Sequence, residues 1–598
     1  MKLPKNINAN AACAGGWVLS FGIFFILYLR YLHVSAPLVP YMDSVRYVGH
    51  VHSALTGATS WLDVWRQDGS VGLLYQLVLL LEWKLWGLNS QVTVLFTAVV
   101  WAFLFVLYAR VFSSLLVKNL IAGSSHGRLI AMFVCQLLIG FYLFSPAGWE
   151  IWLLDLGFAQ TLKNLIIAWY LYHLSGIDFR SYAAGKLFLF GLLGGLIILF
   201  ASYNWSYSLV VAVFFVVILR AGMVARHQLR GLHVILPVLL AQIIYMRTAK
   251  GGLNSMAVGN DLGGIVDFLM ALMYASASMF MGSETMDFMG VPSGFSMVAG
   301  ALFILAVWLV IFAWLWRGVK DQNGIFFAAI CVFGLCVLAS IAVARGGLGH
   351  QFVAASRYFM DYQFIFIGFL GITACLLVNP DAPDKPPVDA SCAGTKIKVM
   401  AWPLALVFVA LAVAGQTATY YVEYAKAPFR AAYFKQQSLA YLSGVVNQKN
   451  ISLLQTEELP LLKAMAVFDE YNLASLRHLK GACNLADALT FGDVYENEPN
   501  GRWMGKNGIV VLGTCPEKIE IEGHLPQGVA ARTVTIMIGD EIHRVVSNPG
   551  EKFSLSVKRN MARHILRLKL SVDLTHSIPA GRLSDQRELG VFFTKIGR

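Results

Sequence analysis

Eleven stretches of the chain are apolar over enough residues to cross a lipid bilayer as α-helices. Crossing about 30 Å of hydrocarbon takes roughly 20 helical residues. The runs are 14–33, 92–117, 127–146, 157–175, 187–203, 206–222, 232–247, 293–316, 324–345, 358–378 and 399–420. The sequence therefore predicts a polytopic α-helical membrane protein of about 11 spans.

Charged residues are distributed unevenly along the chain. Of the 598 residues, 57% are hydrophobic and 13% are charged, whereas an ordinary soluble chain has about 25% charged residues. Residues 1–420 contain 40 of the Asp, Glu, Lys and Arg residues, and residues 421–598 contain the other 40. We therefore predict a transmembrane domain over 1–420 and a soluble tail after it.

The basic loop residues predict how the chain is oriented. A twelfth apolar run, 71–86, is short and carries Glu82 and Lys84, so we place it in the membrane interface. With that placement and a cytoplasmic N-terminus, Lys and Arg collect in the inner loops and Asp and Glu in the outer ones. The first span is then a retained anchor and the tail is extracytoplasmic. The net charge is +12, and the excess basic residues are explained as loop charges that set orientation in the membrane, so no nucleic-acid partner is predicted.

The tail divides into two patterns. Residues 421–500 show helical spacing of apolar residues, and 501–598 show short alternating strands separated by Gly, Pro and Asn turns. The second pattern predicts an antiparallel β-sandwich that either binds carbohydrate or serves as a stabilising module. Cys483 and Cys515 are the two cysteines of the tail, and they are expected as either one disulfide or two buried thiols.

The first outer loop contains a carboxylate and a guanidinium in Asp43-Ser44-Val45-Arg46. A carboxylate close to the membrane surface can act as a general base on a hydroxyl, and a nearby arginine can hold a phosphate through two hydrogen bonds. The alternative is a helix cap at Asp43 with a surface ion pair.

The second outer loop, 147–156, contains Glu150 and Asp155, and Lys163 follows two turns into the next span. Polar groups at membrane depth usually face a cavity. These carboxylates can orient an acceptor sugar or hold a divalent cation. Trp149 can stack on a sugar or belong to the interfacial aromatic belt.

A glycine-rich loop with His350 precedes Arg357 and Tyr358 at the start of the tenth predicted span. An arginine at the outer mouth of a span can bind a lipid phosphate, and glycines let backbone approach it closely. The alternative is a snorkelling arginine beside an aromatic ring.

This arrangement resembles the GT-C superfamily of membrane glycosyltransferases. The resemblance rests on Asp43 after span one, the interfacial stretch ending in Gly87-Leu88-Asn89-Ser90, the acidic second loop, Ser356-Arg357-Tyr358, and the exported tail. The stretch Leu73 to Ser90 is similar to a segment of the aminoarabinose and protein O-mannosyl transferases, although Asp43 is followed here by Ser44 and not by a second acidic residue. The tail, through 501–505 and 578–591, resembles the β-sandwich that closes many bacterial surface-polysaccharide enzymes.

The resemblance implies an enzyme of the bacterial inner membrane. It would transfer a sugar from a polyprenyl-phosphate carrier to a glycan acceptor of the O-antigen or lipopolysaccharide kind on the periplasmic face, with inversion and with Asp43 as general base. The implied donor-phosphate ligands are Arg46, Arg357, Tyr358 and Lys163. The implied candidates for acceptor binding or for a divalent cation (Mg²⁺ or Mn²⁺) are Asp155, Glu150, His350 and Trp149.

Three other classes are kept as alternatives. An O-antigen ligase or polymerase would depend on paired arginines in outer loops, for which Arg345 and Arg357 are the candidates. A transporter of lipid-linked glycan would carry charges inside its spans and repeated halves. A non-catalytic scaffold would need only the tail.

Overall fold

The computed structural model describes a mostly helical chain with a strand domain at its C-terminal end. The described residues are 9–67, 73–121, 126–200, 203–222, 225–248, 257–259, 261–317, 321–377, 392–471, 473, 483–513, 515–539, 541–558, 565–577 and 588–597. Two segments named above lie outside the described residues. They are 378–391, which is most of the predicted inner loop before the last span, and 578–587, which is part of the tail segment that carries the resemblance.

The chain divides into two compact units. The first comprises 1–35, 59–78 and 94–430, and the second comprises 36–58, 79–93 and 431–598. The first outer loop around Asp43 therefore belongs to the same unit as the tail.

Twenty helices are described. They are α1 Ala9–Ser35, α2 Asp43–Leu55, α3 Trp61–Gln67, α4 Leu73–Trp86, α5 Ser90–Ile121, α6 His126–Leu143, α7 Trp149–Leu153, α8 Gly157–Ser175, α9 Ala184–Phe200, α10 Tyr203–Ala221, α11 Ala225–Thr248, α12 Leu262–Ala277, α13 Ser283–Phe288, α14 Ser293–Trp316, α15 Gln322–Arg345, α16 His350–Val353, α17 Ser356–Leu377, α18 Cys392–Ser443, α19 Gln448–Leu453 and α20 Glu458–Tyr471.

Eight helical segments within the described residues are long and apolar enough to cross a membrane. They are 10–35, 90–117, 130–153, 227–248, 293–316, 322–348, 356–376 and 405–443. Each coincides with one predicted span. The other three predicted spans form helices α8, α9 and α10, which fall outside this set because α9 and the apolar part of α10 are shorter and α8 carries Gln160, Lys163 and Asn164. The count of eleven and the interfacial position of α4 stay predictions.

Helices α15 and α17 form the centre of the first unit. Their apolar windows are 78% and 83% buried, against at most 56% in the other six. A helix that is apolar all round is expected to be surrounded by other helices. Gly368 of α17 faces Cys331 and the carbonyl of Phe327 so closely that a Cβ there would lie 2.7 Å from that oxygen. The two backbones can therefore pack directly against each other.

Ten strands follow in the second unit. They are β1 Leu489–Glu498, β2 Gly501–Leu512, β3 Lys518–His524, β4 Arg532–Ile538, β5 Glu541–Ser547, β6 Lys552–Lys558, β7 Leu566–Val572, β8 His576–Ser577, β9 Glu588–Leu589 and β10 Val591–Gly597. The hydrogen-bonded order is β5-β4-β7-β2-β10-β3-β6, with β1 on β2 and a separate β8-β9 pair.

The predicted alternating strands are confirmed, and the named strand pairs are antiparallel. Inward residues from both ends of the sheet path, such as Val534, Leu568, Ile521 and Val557, share one hydrophobic cluster. The disulfide is also confirmed: Cys483 and Cys515 are bonded, with 5.0 Å between their Cα atoms. It ties the segment before β1 to the loop after β2.

Candidate functional site

Asp43 is the first residue of α2 and its side chain is 60% exposed. Arg46, one turn further on, places a guanidinium nitrogen 3.6 Å from the Asp43 carboxylate and donates to the Tyr47 hydroxyl at 2.8 Å. Asp43 therefore offers an accessible carboxylate with a cation beside it. The predicted alternative of a helix cap at Asp43 is wrong, because the N-cap residue is Met42, although the predicted ion pair is present.

The backbone that presents Asp43 is strained. Met42 has a φ of 58°, a conformation that residues other than Gly, Asn and Asp seldom adopt. Its N–H donates to the carbonyl of Leu454 at 3.0 Å, and the neighbouring Tyr41 ring packs against Phe434 at 5.1 Å between centroids. Such strain costs about 1–3 kcal/mol and persists where surrounding structure imposes it, often at functional sites. Here α18 and the end of α19 impose it.

Glu150 of the second outer loop is joined to the start of α17. Its carboxylate accepts from the Ser356 hydroxyl at 3.0 Å and from Arg357 at 3.2 Å. The Arg357 side chain is 33% exposed and lies 5.4 Å from the Tyr358 ring centroid. The structure thus brings Glu150, Arg357 and Tyr358 together, leaving a partly accessible guanidinium at the N-terminal end of α17.

The adjacent Trp149 enters a second ion cluster that the sequence analysis did not single out. We call it the Glu284 cluster, and its members are Glu284, Glu423, Lys426, Arg430, Trp149 and Tyr31. Glu284 accepts from the Trp149 indole at 2.7 Å, from Arg430 at 3.1 Å and from Lys426 at 3.3 Å.

The second carboxylate of the Glu284 cluster is more deeply buried. Glu423 has a side chain only 2% exposed; it forms an ion pair with Arg430 and lies 3.7 Å from Lys426. Arg430 also stacks over Trp149, 3.4 Å from the ring centroid. Charged residues beside a long apolar helix are the sequence signal that could have indicated this cluster. The sequence does not show which of them pair, because Glu284 and Arg430 are 146 residues apart.

The cluster makes stability depend on pH through Glu284. Burial disfavours its charged form, but Arg430, the Trp149 N–H and Lys426 outweigh burial and hold the pKa of Glu284 below its usual value. A lowered folded-state pKa stabilises the protein above the unfolded-state pKa, and this contribution disappears as pH falls through the folded-state pKa. We expect wild type to unfold at a higher temperature than Glu284→Gln at pH 7, and the gap to shrink below about pH 4.3. Thermal unfolding in detergent measures this, and a gap that stays constant with pH would contradict it.

Lys163 is not placed to reach a phosphate at the surface. It is 5% exposed, pairs with the buried Asp361 at 3.3 Å, and lies 3.2 Å from the Trp205 ring centroid. Gln160 donates to the same carboxylate at 3.1 Å. This polar group connects α8, α10 and α17 inside the helical unit.

The remaining candidates are Asp155 and His350. Asp155 is 1% exposed, whereas His350 packs against the Tyr274 ring at 4.6 Å between centroids. Tyr274 in turn donates to Asp287 at 3.3 Å. Within the described ranges no three His, Cys, Asp or Glu residues are grouped to hold a metal ion, and Glu150 is engaged by Arg357. The Mg²⁺ or Mn²⁺ site therefore stays a prediction.

An apolar groove lies on α18, the helix that also carries Glu423, Lys426 and Arg430. It has a volume of about 280 Å³ and lies between α14 and α18, from Phe295 to Leu309 on one side and from Val407 to Leu411 on the other. Further along α18, Gly415 passes close to Phe280, and Thr419 accepts from the Gly282 N–H at 3.1 Å. Lys426, which pairs with Glu284, follows Leu411 by fifteen residues, or about 22 Å along a helix, so α18 carries both the groove and a charged cluster.

Comparison of the chain with family models, with curated proteins and with solved structures finds no match. The site is therefore interpreted from its own geometry.

Proposed function

We propose that the chain is a membrane glycosyltransferase of the GT-C type, which transfers a sugar from a polyprenyl-phosphate carrier to a glycan acceptor on the extracytoplasmic face. The observation that carries the proposal is that α18 lines an apolar groove with Val407 to Leu411 and, further along the same helix, carries Lys426 and Arg430 beside Glu284. An apolar groove and cations on one helix are suited to a long hydrocarbon chain with an anionic head.

The carrier's phosphate would be held by cations at the outer ends of the spans. Arg357 and Lys426 are partly accessible, with 33% and 29% of their side chains exposed. Each already has a carboxylate partner, which fixes its position before the phosphate arrives. Preorganised charge of this kind stabilises a leaving phosphate in the transition state.

The acceptor would be activated by Asp43. Its exposed carboxylate takes the proton of an acceptor hydroxyl as the hydroxyl oxygen bonds to the anomeric carbon. The bond from that carbon to the phosphate oxygen breaks in the same step, and the phosphate leaves with the electron pair. A single in-line displacement inverts the anomeric carbon.

The proposed enzyme has about eleven spans in a bacterial inner membrane, a cytoplasmic N-terminus, and a periplasmic tail with a β-sandwich, as the resemblance implies. The acceptor would be a surface glycan such as O-antigen or lipopolysaccharide. The described helices and the antiparallel strand domain support this arrangement.

We expect Arg357→Gln to reduce sugar transfer from polyprenyl-phosphate donors by about 10- to 100-fold, the effect of losing one hydrogen bond to a charged group. Transfer of labelled sugar from a panel of such donors, with both proteins monodisperse in detergent, measures this. Arg345→Gln is the matched variant, and it should retain activity.

The same assay separates the alternatives. The ligase or polymerase would be favoured if Arg345→Gln and Arg357→Gln lost transfer activity equally and if a lipid-linked polysaccharide were the only donor used. The buried Lys163–Asp361 pair is the observation that favours a transporter, since charges inside spans mark transport pathways. A transporter would depend on that pair and not on Asp43.

A further inference from the structure

A large cleft lies within the second unit, and none of the carboxylates and cations described above is among its lining residues. Its volume is about 960 Å³, and it lies between the last turns of α18 with α19 on one side and strands β1, β2, β4 and β7 on the other. Small-molecule sites are usually about 300–1,000 Å³, so this cleft has room for several linked sugar rings.

The sheet side of the cleft is a continuous platform across four strands. In the strand register Phe491 is opposite Ile509, Ile509 is opposite Lys569, and Lys569 is opposite Met537. Residues in one such row project from the same face of the sheet. Phe491 gives this row an aromatic ring, and Ile509 and Met537 add apolar side chains beside Lys569. In the next row Asn507 is opposite Ser571, and these two residues add hydrogen-bonding groups.

The helix side of the cleft is lined by polar side chains, and the end of α18 is attached to the sheet. Gln436, Asn447 and Lys449 line it and are exposed. Arg567 of β7 donates to the carbonyls of Tyr441 and Leu442 at 2.8 and 2.5 Å, so the end of α18 is attached to the sheet. The cleft is therefore built before any ligand enters.

The charged side chains that line the cleft are basic. Lys449 and Lys569 line it, and neither an Asp nor a Glu is among its lining residues in the part of the chain that the structure describes. An apolar platform can stack on the faces of sugar rings, amides can bind hydroxyls, and ammonium groups can bind carboxylates.

We propose that this cleft binds a segment of an acidic oligosaccharide, with its sugar rings over Phe491 and Ile509 and its carboxylates at Lys449 and Lys569. The proposal goes beyond sugar transfer and does not require it. Asp43→Asn should bind the oligosaccharide as wild type does, so the binding proposal and the enzymatic proposal fail separately.

The test uses the full chain in nanodiscs of zwitterionic lipid and titrates it with tetragalacturonic acid or with its neutral methyl ester. We expect the acid to bind and the ester to bind at least about tenfold more weakly. Lys569→Gln and Lys449→Gln should each weaken binding of the acid by about tenfold, near the lower end for a hydrogen bond to a charged group. Lys552→Gln, an exposed lysine of β6 outside the cleft, is the matched control and should bind as wild type.

Hydrogen exchange in the presence of the acid locates the site independently of the variants. Slower exchange of amides in β1, β2 and β7 is expected. Equal affinity for acid and ester would overturn the role of charge. Unchanged affinity in both cleft variants, or no binding of the acid to a cooperatively folded wild type, would overturn the site.

Discussion

Asp43→Asn is expected to lower sugar transfer by about 10²- to 10⁴-fold, the contribution of a positioned general base. The amide has nearly the shape of the carboxylate but cannot accept the hydroxyl proton at neutral pH. Because the Asp43 side chain is 60% exposed, the substitution leaves no buried group unpaired, and the unfolding temperature should not change. Initial rates with a labelled polyprenyl-phosphate sugar, at equal protein concentration, measure the loss.

Asp63→Asn is the matched control for Asp43→Asn. Asp63 is an exposed aspartate of the same predicted outer loop and accepts from the Ser60 hydroxyl at 2.6 Å near the start of α3. It should retain wild-type rates. Activity that survives Asp43→Asn would refute the role of Asp43 and transfer the search for the base to Asp155.

Arg430→Met is expected to destabilise the first unit by about 3–5 kcal/mol, the usual effect of removing one partner of a buried ion pair. The loss leaves Glu423 without its closest cation at a side-chain exposure of only 2%, and leaves Glu284 with Lys426 alone. It also removes the guanidinium that stacks on Trp149. Thermal or denaturant unfolding in detergent should show the change directly.

Two further variants separate charge from packing at this position. Lys426→Gln should cost much less, because the Lys426 side chain is 29% exposed and its longer contacts are 3.3 and 3.7 Å. Adding Glu423→Gln to Arg430→Met removes the uncompensated charge, so the double variant should be more stable than Arg430→Met alone. A double variant less stable than the single one would show that the cluster is maintained by packing.

The helices and strands were largely predictable because their signals are local. A run of about 20 apolar residues marks a span wherever it occurs, and eight predicted spans coincide with eight apolar helices of the structure. Alternation with period two marked β2 to β7 in the same way. The Cys483–Cys515 bond was one of two open interpretations, since sequence does not tell whether two cysteines meet.

The site was predictable only in part. Asp43, Glu150 and Arg357 were singled out from polar residues beside apolar runs, and the structure joins Glu150 to Arg357. Glu284, Glu423, Lys426 and Arg430 were not grouped, because no local pattern links α13 to α18.

Hydropathy and periodicity depend only on neighbours along the chain, so the sequence is enough to show which segments are apolar, which alternate and where charge is scarce. Which charges neutralise one another depends on tertiary packing. Lys163 meets Asp361 across 198 residues, and Leu454 fixes the backbone in front of Asp43. Such pairs depend on how helices pack, and a charge in an apolar surrounding is stable only where packing supplies its partner.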